Sequence, residues 1–97
     1  MTNNSKMNQT ETDFLFQGIL ALSNLEECYS FFEDLCTIQE LKAMSQRFTV
    51  AKLLRQGITY TEVAMMTGAS TATISRVNKS LAYGAGGYGD ILDRIEK

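Results

Sequence analysis

The chain contains no histidine, which removes the side chain that most often moves protons near neutral pH. No nucleophile is paired with a base, and Cys28 and Cys36 match no metal-ligand set. The one glycine cluster, GAGGYG at 84–89, follows a helical stretch and lacks the lysine of a phosphate-binding loop, so it reads as a flexible hinge. An enzyme, a metal and an organic cofactor are therefore not expected. The chemistry on offer is that of binding. Ser70, Thr71, Ala72, Thr73 and Ser75 are short side chains, four of them hydroxylic, and such residues let a backbone lie close to base edges and phosphates.

Those residues need a scaffold, and residues 60–81, YTEVAMMTGASTATISRVNKSL, supply one. Ala64 is small enough to let a second helix approach the first, Gly68 offers the positive φ of a tight turn, and Ile74 and Val77 point inward from the second helix. Val63 and Leu81 extend that inner face. The spacing predicts a helix-turn-helix over about 60–82, with the Ser/Thr run outward at the start of its second helix. An ordinary αα-hairpin with a solvated Ser/Thr face is the plainer alternative.

The charge is arranged to suit. Overall the protein is slightly acidic, with nine Lys+Arg against eleven Asp+Glu. Over residues 42–79, however, Lys42, Arg47, Lys52, Arg55, Arg76 and Lys79 face Glu62 alone, whereas residues 1–41 hold Lys6 against seven carboxylates. A positive field around the predicted motif would orient it towards phosphates and make affinity fall steeply with salt.

Elsewhere the pattern is helical throughout, with no proline and no sustained alternation of period two, so the fold class expected is all-α. A flexible arm is expected over residues 1–9 and a single domain over 10–97. Phe14, Leu15, Phe16, Ile19, Leu20 and Leu22 make a first helix that is apolar around much of its circumference. A second runs from Leu25 to Leu35 with Leu25, Tyr29, Phe32 and Leu35 or Cys36 on one side. Thr37 with Glu40, and Thr59 with Glu62, form capping boxes that open a third helix and the predicted motif. In the third helix Leu41, Met44, Phe48, Ala51 and Leu54 recur at helical spacing. Ile91, Leu92 and Ile95 give a short C-terminal helix over about 90–96. The start, MTNNSKMNQTE, lacks the layout of a secretory signal, and no apolar run approaches a membrane span, so no membrane partner and a cytoplasmic location are expected. In that reducing compartment Cys28 and Cys36 read as small core thiols.

A chain of 97 residues buries only about 60–65% of its unfolded surface alone, and the two apolar N-terminal helices need something to pack on. A second copy is the simplest candidate, and a homodimer would place two reading helices about one DNA turn apart, roughly 34–36 Å, on a pseudo-palindromic site.

From LCTIQELKAMSQR at 35–47 through ATISRVNKSL at 72–81, the chain resembles the Trp repressor superfamily. Within it the chain is similar to the YerC/YecD-type Trp-repressor-related proteins of Gram-positive bacteria, over nearly everything beyond the arm. The resemblance implies an all-α, intertwined dimer with helix-turn-helix DNA-binding heads. It also implies double-stranded DNA as partner, contacted through Tyr60, Thr61, Ser70, Thr71, Ala72, Thr73, Ser75 and Lys79. Ala64 stands where the Trp repressor has a lysine, so the sequence preference should differ.

The same resemblance places Thr37, Arg47, Arg76 and Ser80 at positions that hold the amino-acid corepressor, or that contact phosphates instead. Val77, though, occupies the position of a glycine whose empty slot admits an indole, and the segment between Arg47 and Leu53 is one residue shorter. Tryptophan is therefore not the expected effector, and the leading reading is a repressor that does not depend on it. The alternatives are a protein-interaction module, whose binding would be nearly indifferent to salt, and a repressor responsive to tryptophan, another small ligand or thiol oxidation.

Overall fold

The structure, a computed structural model, describes residues 3–96, with side chains described from residue 9 onward. Six helices follow one another among the described residues: α1 (Asn3–Leu20), α2 (Leu25–Leu35), α3 (Ile38–Arg55), α4 (Tyr60–Thr67), α5 (Thr71–Tyr83) and α6 (Gly87–Ile95). No strand occurs among the described residues. The chain divides into two compact units, Met1–Thr37 and Ile38–Lys97, where the sequence reading draws one domain from residue 10.

In the first unit α1 and α2 are joined by a capped turn. The Asn24 side chain accepts from Glu27 N–H at 2.8 Å, and Glu27 Oε1 accepts in return from Ser23 N–H at 2.8 Å. This reciprocal pair satisfies one of the donors that the helix start leaves open and another just ahead of the cap, and the sequence reading missed it. Phe31 and Phe32 meet edge to face, their centroids 5.5 Å apart. No described residue of this unit is buried, and Phe14, Phe16, Leu20, Leu25 and Tyr29 are all exposed. Cys28 and Cys36 are half-buried free thiols rather than core residues, because this unit closes no core of its own. An arm is expected over residues 1–9. From Asn3 on the backbone belongs to α1, since extending a helix is cheap once its nucleus exists and nothing here breaks one; Met1 and Thr2 lie outside the described residues.

The second unit holds the core. Val50, Ala51 and Leu53 of α3, Val63 of α4, Ala69 of the following turn, Ile74 and Val77 of α5, and Leu92 of α6 form one buried cluster. Each fully buried aliphatic contributes roughly 1.5–3 kcal/mol. Phe48, Leu54, Ala64 and Leu81 pack partly buried against it. Of the stripe expected on α3, Ala51 is buried and Phe48 and Leu54 pack against the core, whereas Leu41 and Met44 are only half-buried; Val50 and Leu53, which that stripe lacks, are buried as well. Contact with α4 and α5 draws that second pair in beside the expected residues.

α6 begins at Gly87, inside the cluster read as a hinge, and not near residue 90. Its first turn is anchored. Tyr88 stacks on Phe48 at 6.2 Å, and Arg55 donates to the Gly89 carbonyl at 3.3 Å and pairs with Asp93 at 2.6 Å. These contacts, with Leu92 buried, outweigh the roughly 1 kcal/mol that each helical glycine costs.

Candidate nucleic-acid interface

The site is assembled around a three-residue turn, 68–70, between α4 and α5. α4 opens on Thr59, whose side chain accepts from Glu62 N–H at 3.2 Å, and it closes on Gly68 at φ 74°, whose N–H donates to the Ala64 carbonyl at 2.8 Å. That left-handed conformation costs an ordinary residue about 1–2 kcal/mol and glycine nothing. Thr67 ties the turn from within. Its hydroxyl donates to the Val63 carbonyl at 2.7 Å and accepts from Ala69 N–H at 3.1 Å. From α3, Gln46 Nε2 donates to the Thr67 carbonyl at 3.2 Å.

Ser70 then caps α5. Its Oγ accepts from Thr73 N–H at 3.1 Å and donates to Thr73 Oγ1 at 3.1 Å. With one face of α5 sunk into the core through Ile74 and Val77, the other face is settled by the 3.6-residue period. Thr71, Ala72, Ser75, Arg76, Lys79 and Ser80 are exposed, and Thr73 is half-buried. Tyr60 and Thr61 are exposed at the start of α4.

Of the residues singled out from the sequence, the structure therefore gathers Ser70, Thr71, Ala72, Thr73 and Ser75 in the cap and the first turn and a half of one helix, with Arg76 and Lys79 following on that helix. Ser70 has a second duty, since its hydroxyl is engaged in the cap. Among the residues that the resemblance places at an effector site, Arg47 is half-buried on α3, and Arg76 and Ser80 are exposed on α5. Thr37 is the last residue of the first unit. Val77 is 1% exposed and fills the middle of the core. Arg55 must be taken out of the positive field, because Asp93 neutralises it.

Two residues that sequence reasoning did not mark belong to this site: Gln46 and Thr67 hold the turn. Thr67 lies directly before the turn glycine, where a hydroxyl able to bond locally is a usable signal. For Gln46, 21 residues from its partner, no local signal exists. An open depression of about 510 Å³ lies at the C-terminal end of α5, lined by Phe48, Ser80, residues 84–87, Tyr88 and Ile91. Among the described residues no cluster fit for a metal occurs, and no helix is long and apolar enough to cross a membrane.

Comparison with known proteins gives a consistent answer. A family model described as Trp repressor protein matches residues 10–96. YerC of Bacillus subtilis strain 168, itself described as uncharacterized, is 52% identical over 92 residues, 95% of this chain and 88% of the relative. The crystal structure of a Trp repressor candidate from Staphylococcus aureus matches with a TM-score of 0.90 at 49% identity, over 99% of this chain and 96% of that one. A TrpR-like protein from Eubacterium eligens ATCC 27750 also gives 0.90, at 53% identity over 95% of each chain.

Proposed function

Because the chain belongs to the Trp repressor family, we propose that it is a sequence-specific DNA-binding transcriptional regulator of the cytoplasm, a repressor that acts as a homodimer on a pseudo-palindromic operator. One observation carries this reading: the capped start of α5 presents Thr71, Ala72 and Ser75 to solvent on a helix whose opposite face is locked by Ile74 and Val77. A helix entering the major groove by its N-terminal residues needs that combination. Thr71, Thr73 and Ser75 then hydrogen-bond bases or phosphates, and the Ala72 methyl meets a thymine methyl. Tyr60, Thr61, Arg76 and Lys79 contact the DNA around them, with the two cations on phosphates. The half-buried Arg47 takes a phosphate or a structural role.

The first unit supports the dimer. Phe14 at 77%, Leu20 at 84% and Leu25 at 72% exposed are large apolar side chains left in water by a single chain, and a second copy would cover them. Val77 supports independence from tryptophan, since its side chain fills the space that a bound indole would need.

Selection from a random double-stranded DNA pool at physiological salt, with and without tryptophan, tests the proposal. A pseudo-palindrome enriched without ligand is the expected result. Enrichment only with tryptophan would overturn the role given to Val77, and no enrichment in either arm would remove the DNA reading.

A further inference from the structure

We propose that Gln46, on α3, is a positioning residue that acts through Thr67 to set where the start of α5 meets DNA. This inference rests on the DNA-binding reading and deepens it. Apolar packing is not directional: Val50, Val63, Ile74 and Val77 hold α3, α4 and α5 together but permit small slides and rotations. Hydrogen bonds do not. The Thr67 carbonyl is at the C-terminal end of α4, where no later turn of helix can satisfy it. Gln46 Nε2 takes that place from a different helix, in a half-buried position.

The bond lies at the head of a short chain of contacts. The Thr67 hydroxyl bridges the Val63 carbonyl and Ala69 N–H, Ala69 is 5% exposed in the core, and the next residue, Ser70, caps α5 through Thr73. Each link is a directed bond or a buried contact, so the height and angle of residues 71–75 are referred to α3 through Gln46. Base readout depends on sub-ångström placement of such donors, while attraction to phosphates by charge does not. Loss of the Gln46 bond should therefore lower discrimination between sequences and leave general DNA affinity in place.

The test uses the full chain carrying Gln46→Met, which keeps the length of the side chain without its donor, with Thr67→Val and the conservative Thr67→Ser as companions. Affinity is measured for the selected site and for an unrelated duplex of equal length, alongside amide hydrogen exchange. Gln46→Met and Thr67→Val are expected to lower the ratio of the two affinities by roughly 3- to 10-fold, the equivalent of one ordinary hydrogen bond, with the unrelated duplex bound as before and Thr67→Ser restored. Exchange at residues 69–73 is expected to quicken by a similar factor, with residues 50 and 77 unchanged. Equal losses on both duplexes, or unchanged exchange in the turn, would overturn the assignment. A wild type with no preference between duplexes would overturn the DNA reading itself, and quickened exchange in the turn of Gln46→Met would mark that failure as distinct from a failure of the clasp.

Discussion

The Thr73 hydroxyl stands between the fold and the surface. It accepts from Ser70 Oγ, which leaves its own hydrogen to donate outward to a base edge or a phosphate. Thr73→Val keeps the shape of the side chain and removes that donor. If the hydroxyl reads a base, affinity for the selected operator falls by about 1–3 kcal/mol while an operator altered at that position loses little; titrations against the two duplexes decide it, and equal loss on both would make Thr73 a phosphate contact. Val77 presents the opposite case, a side chain wholly inside. Val77→Gly opens a cavity costing roughly 1–3 kcal/mol and adds about 1 kcal/mol for glycine within a helix, which denaturant unfolding would register. Calorimetry with tryptophan should show no saturable binding to the wild type, and binding gained by the variant would confirm that the valine methyls occupy the slot.

Among the elements, the link between α5 and α6 carries the sharpest consequence for the glycines of residues 84–89. Gly84 closes α5 by donating to the Ser80 carbonyl at 2.9 Å, and a Cβ placed on it would fall inside contact distance of that same oxygen. Gly84→Ala must therefore shift the turn, at a cost of about 1–3 kcal/mol. Gly89 differs, since it lies within α6 and a Cβ there meets nothing within 4 Å. Gly89→Ala is expected to stabilise by about 0.5–1 kcal/mol through helix propensity and a less free unfolded chain. Thermal melts of the two variants should move in opposite directions; a hinge, as the sequence reading has it, would make both nearly silent. Tyr88 anchors the segment. Its stacking on Phe48 joins residues 40 positions apart in the sequence, so no local pattern of glycines announces it.

At the scale of the whole molecule, the second unit has a closed core while the first has an uncovered apolar surface. A surface of that kind makes stability depend on concentration whenever a second copy covers it. Leu20→Ser separates the possibilities by the sign of its effect. In a single chain, replacing a leucine that is 84% exposed is nearly neutral. Across a dimer interface each copy loses up to about 1.5–3 kcal/mol of apolar burial, and sedimentation at micromolar concentration should shift from dimer towards monomer as the melting midpoint falls. Unchanged sedimentation in the variant would take α1 out of the interface. Ahead of any structure, the sequence alone determined the helical class, the turn at Gly68, the inward set of Val63, Ile74 and Val77, and the short hydroxylic run before Arg76, because propensity, capping and a period of 3.6 are written in neighbouring residues. Tertiary structure decided the rest. The burial of Val50 and Leu53 beside the expected Ala51 comes from packing on α4 and α5, while the neutralisation of Arg55 by Asp93, the anchoring of α6 by Phe48 and the hold of Gln46 on the turn join residues at least 21 positions apart, and contacts of that kind exist only once the helices have packed.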